Sequence, residues 1–222
     1  KALIINFPNN PTGGVMDESD IRAIADIIVD HDLIIISDEV YAELTYETRH
    51  CATATVSDLR ERTITLNGFS KAYAMTGWRV GYLCAPEQLL DAALKIHQYV
   101  MLCAPVMGQV GAIEALRSAE EEKNSMVNEY RLRRNKFVTG LNRIGLPCHV
   151  PEGAFYAFPS VKETGLSDVE FAERLLKEQR VAVVPGSVFG EGGEDHIRCA
   201  YAVSRKDLNT AIGRMEEFIA TL

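Results

Sequence analysis

Three short apolar runs each end in a polar cluster: "ALIIN" before "FPNNPTGG", "LIIIS" before "DEVY", and "TITLN" before "GFSK". Continuous apolar runs of this length, bounded by turn signals, read as strands buried on both faces. Between the first two, Glu18 to Asp30 places Ile21, Ile24, Ala25, Ile27 and Ile28 at helical spacing, with Asp17 or Ser19 as N-cap. Strand, helix, strand with apolar strands throughout predicts a mostly parallel sheet covered by helices. A fourth strand is expected over Arg79–Ala85.

Pro86 opens a helical region that breaks near Ala104 and Pro105 and runs to about Ser118. "AEEEKNSMVNEYRLRRNKFVTGLNRIG" then reads as one long helix ending at Gly145, with its acids early and its bases late, as the helix dipole favours. After it the pattern changes. "GAFYAFP" is expected as a strand, Ser167–Gln179 as a helix, Val181–Val184 and Ile197–Ala202 as strands, and Lys206–Leu222 as a closing helix. The expected fold class is therefore α/β: an incomplete, mostly parallel sheet flanked by helices over residues 1–118, and a smaller C-terminal α+β domain over residues 119–222. Because the chain opens at Lys1 directly in an apolar strand, a preceding N-terminal part is expected.

Charge narrows the partners. With 23 basic against 31 acidic residues the net charge is −8, which argues against non-specific binding to nucleic acid or anionic membrane. No apolar run approaches the ~20 residues of a membrane span. The five cysteines are scattered, odd in number and without a C-x-x-C pair, the pattern of a reduced, cytoplasmic chain. His196 and Cys199 in "HIRC" lie three apart on an expected strand and face opposite sides, so no metal site is expected there.

In open α/β sheets ligands bind at the carboxyl ends of the strands. Asn10, Asp38 and Lys71 each follow a predicted strand and are expected to converge. Taken alone, each has a plainer reading. Asp38 suits a loop cap or the partner of a structural arginine, and Tyr41 an ordinary half-buried tyrosine. Lys71 and Arg79 suit a solvated loop, and Asn10 a turn. Taken together they describe a chemistry. A partly desolvated lysine near a second cation is a nucleophile toward a carbonyl. An aspartate against a pyridine nitrogen and an arginine on a phosphate complete the needs of pyridoxal 5′-phosphate.

The order of the motifs carries the resemblance further. "NFPNNPTG" (Asn6–Gly13), "DEVY" (Asp38–Tyr41), "SKAYAMTGWRVGY" (Ser70–Tyr82), "PEGAFYAFP" (Pro151–Pro159), "PGSVFG" (Pro185–Gly190) and "IRCAYA" (Ile197–Ala202) together resemble the class I/II aminotransferases, of aspartate/aromatic type, among the fold type I pyridoxal-phosphate enzymes. The resemblance covers the whole chain. It implies that Lys71 forms the Schiff base with pyridoxal 5′-phosphate and then moves the substrate proton. It implies that Asp38 holds the ring nitrogen protonated, that Asn10 and Tyr41 bond the ring oxygen, that Ser70 and Arg79 hold the phosphate, and that Arg198 clamps the substrate carboxylate. Amino-acid and 2-oxo-acid substrates and a homodimeric parent follow from the same resemblance.

Two departures stand out. Many relatives carry a serine or threonine three residues before the lysine, where this chain has Gly68, so part of the phosphate grip is expected from the Gly68 amide or from Ser70. The chain is also much shorter than the family, so alone it is expected to bind cofactor weakly and to be inactive. A carbon–sulfur lyase on the same fold and the non-catalytic aminotransferase-like domain of a transcriptional regulator are the alternatives. Altered turn and "DEVY" motifs in the lyases, and the full set of catalytic residues here, rank both lower.

Overall fold

The computed structural model describes residues 1–56 and 58–222, which fall into two compact units. The first comprises Lys1–Asn9 and Gly14–Val127; the second comprises Asn10–Gly13 and Asn128–Leu222.

In the first unit, β1 (Ala2–Asn6), β2 (Ile34–Asp38), β3 (Thr63–Gly68) and β4 (Gly81–Cys84) form one sheet in that order. The first three strands are parallel and β4 runs antiparallel to β3. Side chains alternate across the sheet. Leu3, Ile5 and Ile35 point to one face, where Ile21 and Ile28 of helix α1 (Glu18–Asp30) cover them together with Val56 and Leu59. Asp17 starts α1: its carboxylate accepts the Asp20 amide at 3.0 Å, and the Asp20 carboxylate accepts the Asp17 amide at 3.1 Å, a reciprocal capping box. The opposite face is not covered on all strands, since Ile4 stays 70% exposed.

A four-residue helical turn, α2 (Phe69–Ala72), follows β3 directly, and α3 (Glu87–Val100) and α4 (Val106–Ser118) follow β4. The expected break at Ala104 and Pro105 separates α3 from α4. Helix α5 (Glu120–Arg143) is the long charged helix, and the division between the units falls within it. Gly145 follows it at φ +86°, a conformation that glycine adopts without strain.

The second unit holds a small antiparallel sheet in the order β5 (Tyr156–Ala157), β7 (Ile197–Ala200), β6 (Val184–Pro185). Helices α6 (Asp168–Gln179) and α7 (Arg205–Ile219) pack on each other, with Phe171 and Phe218 meeting edge to face at 5.2 Å in its core. Ser167 and Ser204 cap the two helices. Here the strands are shorter than the apolar runs suggest. "GAFYAFP" pairs only at Tyr156 and Ala157, because Ala154 turns the chain at φ +55°. The run Val181–Val184 enters the sheet only at Val184, which pairs with Arg198 while Pro185 pairs with Ile197, since Arg180 leaves α6 in the left-handed region.

Candidate functional site

The turn after β2 carries two acids side by side with opposite fates. Asp38 pairs in register with Asn6 and Leu66 and is half-buried; its Oδ1 accepts the Val40 amide at 3.2 Å. Glu39 points the other way and is buried. Its carboxylate accepts the Ser37 hydroxyl at 2.9 Å, the Thr53 amide at 3.0 Å and a hydrogen bond with His50 Nε2 at 2.9 Å. Burial pushes the Glu39 carboxyl up, but His50, the Thr53 amide and Ser37 outweigh it and hold the group below the usual glutamate range. Further along the turn, Glu43 accepts from Lys123 Nζ of α5 at 2.8 Å. Burial draws the Lys123 amine down, yet Glu43 and Glu120 hold it above the usual lysine range.

Tyr41, in the same turn, is 4% exposed, and Lys71 Nζ lies over its ring at 5.6 Å from the centroid. A charged amine is attracted to the ring face at that distance. Lys71 is carried by α2, immediately after half-buried Ser70. The loop that follows is tightly wound. Ala74 and Arg79 both lie in the left-handed region, at φ +53° and +55°. The Thr76 hydroxyl donates to the Ser70 carbonyl at 3.0 Å, and Arg79 Nη1 donates to the Thr76 carbonyl at 2.8 Å. Non-glycine residues there cost free energy and persist where their surroundings hold them, which is common near ligands.

Gly68 has a packing reason to be glycine. A Cβ at Gly68 would lie 3.0 Å from the Gly81 Cα and 3.1 Å from the Val80 carbonyl oxygen. Its amide already donates to Asn67 Oδ1 at 2.7 Å. Any contribution it makes to a phosphate therefore competes with an existing hydrogen bond.

In the second unit, Arg198 of β7 is held by three groups. Its Nη1 donates to Asn10 Oδ1 at 3.0 Å, and its guanidinium carbon lies 4.7 Å from the Tyr156 ring centroid and 4.9 Å from that of Phe189. Its Nε is buried without a hydrogen-bond partner. The turn that holds Asn10 is itself pinned: the Gly13 carbonyl accepts both the Glu152 and Gly153 amides, at 3.0 and 2.8 Å.

Comparison with known proteins decides the family. Residues 1–215 match the family described as Aminotransferase class I and II. The chain belongs to the class I and II aminotransferases. This aminotransferase chain is 46% identical over 222 residues to the aromatic-amino-acid aminotransferase 2 of Thermococcus litoralis and, over the same length, 46% identical to the aspartate aminotransferase of Pyrococcus abyssi. Each alignment covers 99% of this chain and 57% of the relative. The crystal structure of an aromatic aminotransferase from Pyrococcus horikoshii superposes with a TM-score of 0.96 at 45% identity, covering 100% of this chain and 60% of that one. The chain thus spans little more than half the length of these relatives.

Of the residues singled out in this aminotransferase sequence, Asp38 and Tyr41 share one turn, Tyr41 and Lys71 meet face to amine, and Ser70 and Arg79 flank one wound loop. Asn10 and Arg198 are hydrogen-bonded to each other. Glu39, His50, Tyr156 and Phe189 were not singled out. Glu39 had a signal: two positions after Ser37 on an apolar strand it shares the buried face, where a carboxylate demands partners. Among the described residues no cluster of metal-ligating side chains occurs, and no helix is long and apolar enough to cross a membrane.

Proposed function

We infer that the protein is a pyridoxal-phosphate-dependent aminotransferase that moves an amino group between an L-amino acid and a 2-oxo acid. Beside family membership, one observation carries the reading: Arg198 Nε, buried in a guanidinium that lies against the Tyr156 and Phe189 rings, lacks a partner. A buried guanidinium N–H left unpaired is costly, and a carboxylate satisfies it through one oxygen while its second oxygen takes a neighbouring Nη–H. The α-carboxylate is common to amino acids and 2-oxo acids, so one clamp serves both substrates. Asn10 Oδ1, accepting from Nη1, holds one arm of the guanidinium in place.

The donors of the first unit suit the cofactor. Lys71 offers a half-buried amine for its carbonyl, Asp38 a carboxylate for its ring nitrogen, Tyr41 a hydroxyl for its ring oxygen, and Ser70 and Arg79 donors for its phosphate. Pyridoxal phosphate held there supplies an electron sink for the pair left when the substrate Cα–H bond breaks. Lys71 Nζ then carries the Cα proton as general base and acid. The Asp38 carboxylate would accept a hydrogen bond from the protonated ring nitrogen. The Tyr41 ring faces the Lys71 amine, 5.6 Å from its centroid. A cytoplasmic location is in keeping with all five cysteines being free. A homodimeric parent is in keeping with exposed apolar side chains such as Tyr99 (91%) and Met107 (73%).

The test is isotope transfer. The parent protein is supplied with cofactor, 2-oxoglutarate and a panel of 15N-labelled L-amino acids. The reading expects 15N-glutamate and the matching 2-oxo acid. Release of ammonia and pyruvate with no 15N in glutamate would instead mark an eliminating enzyme.

A further inference from the structure

We propose that Glu39 is a positioning residue for Asp38 and Tyr41, clamping the end of β2 from the buried side so that Asp38 leaves the opposite face in one direction. The inference rests on the cofactor reading above for what Asp38 and Tyr41 act on.

The two adjacent acids divide the work by the period of the strand. Ser37 and Glu39 point into the layer covered by α1, and Asp38 points away from it. Glu39 is fixed at both backbone and side chain. Its amide donates to the Leu66 carbonyl of β3 at 2.9 Å, and its carbonyl accepts the Ala42 amide at 2.9 Å. Its carboxylate meets Ser37, Thr53 and His50, while the Ser37 and Thr53 hydroxyls lie 3.0 Å apart. Those partners come from the strand itself and from the segment His50–Thr53, so the clamp ties the turn to a second stretch of chain. Tyr41 follows two residues after Glu39, and the Leu44 amide closes the turn on the Tyr41 carbonyl at 2.8 Å.

Stability alone does not select a carboxylate here. An apolar side chain of similar size fills such a space without the cost of desolvating a charge. What a buried carboxylate with three donors adds is a single orientation, because its oxygens are satisfied in only one pose. A slip of one residue at the strand end would exchange the faces of Asp38 and Glu39. Such a slip would strand the Glu39 carboxylate away from all three donors.

The Val40 amide, which donates to Asp38 Oδ1, reports the clamp without any cofactor. Amide exchange is followed by NMR in the wild-type chain and in Glu39→Ala, Glu39→Gln and His50→Gln. Glu39→Ala is expected to speed Val40 exchange about tenfold while the α1 amides keep their protection. Glu39→Gln still accepts from Thr53 and Ser37 and is expected within about twofold of wild type, and His50→Gln about threefold faster. Wild-type exchange at Val40 in folded Glu39→Ala overturns the proposal. If Glu39→Ala loses α1 protection, wild-type exchange in His50→Gln overturns it instead.

Titration with pyridoxal phosphate, followed by absorbance, adds a readout that a purely structural role leaves alone. Glu39→Ala is expected to raise the half-saturating concentration about tenfold, and Glu39→Gln to restore it. A lower unfolding temperature with unchanged half-saturation would overturn the proposal. Weak uptake by the wild-type chain accords with its length, whereas failure of the parent protein to take up cofactor counts against the cofactor reading; the exchange data then judge the clamp by themselves.

Discussion

Arg198 Nη1 donates to Asn10 Oδ1 at 3.0 Å, joining residues 188 positions apart. The bond holds a guanidinium that already lies against the Tyr156 and Phe189 rings, and it leaves a buried Nε bare. Lysine would keep the charge but lose the planar fork and the stacking. Arg198→Lys is expected to raise KM for the amino acid about 100-fold or more, with a smaller effect on kcat. Steady-state kinetics check this; an unchanged KM would remove Arg198 from substrate binding.

Gly13 sits at φ +73°, and a Cβ there would lie 2.5 Å from the Pro151 Cβ and 2.8 Å from the Gly153 carbonyl oxygen. Neither neighbour is a flexible side-chain end. Gly13→Ala is therefore expected to cost at least about 1 kcal/mol. A fall in Tm of about 2–4 °C or more corresponds to that loss. Thermal unfolding checks it. The same variant tests whether the turn supports Asn10, since the Gly13 carbonyl anchors the Glu152 and Gly153 amides.

Glu129 accepts from both Arg205 and Arg133, and these two arginines, Arg205 first, draw its carboxyl from 4.5 to about 2. A depressed acid adds stability that is present above its unfolded value and is lost as the pH falls through its folded value. The window is therefore pH 4.5 down to about 2. Tm measured across that window is expected to fall more steeply in wild type than in Glu129→Gln. Parallel curves would mean that the surface pair contributes nothing.

The sheet and helices were legible because their signals are local. "ALIIN", "LIIIS" and "TITLN" became β1, β2 and β3 within a residue or two, and Asp17 caps α1 as its position suggested. Strand ends in the second unit were not legible, because the backbone turn at Ala154 and the four residues of β7 decide them. Candidate residues such as Lys71 and Asp38 could be picked from motif order. Their surroundings could not: the Glu39–His50 contact spans 11 positions, and the Gly68–Gly81 approach depends on how β4 pairs with β3. Such contacts arise only once strands and loops have packed.

The central claim is that Lys71 is the amine that receives the cofactor. Borohydride reduction after addition of pyridoxal phosphate makes even a weak association permanent, and peptide mapping then locates the label. The account predicts a reduced pyridoxyl group on Lys71 at cofactor concentrations that leave Lys1, Lys95, Lys136 and Lys206 unmodified, and loss of that label in Lys71→Ala. Label spread over those other lysines with Lys71 unmodified would contradict it.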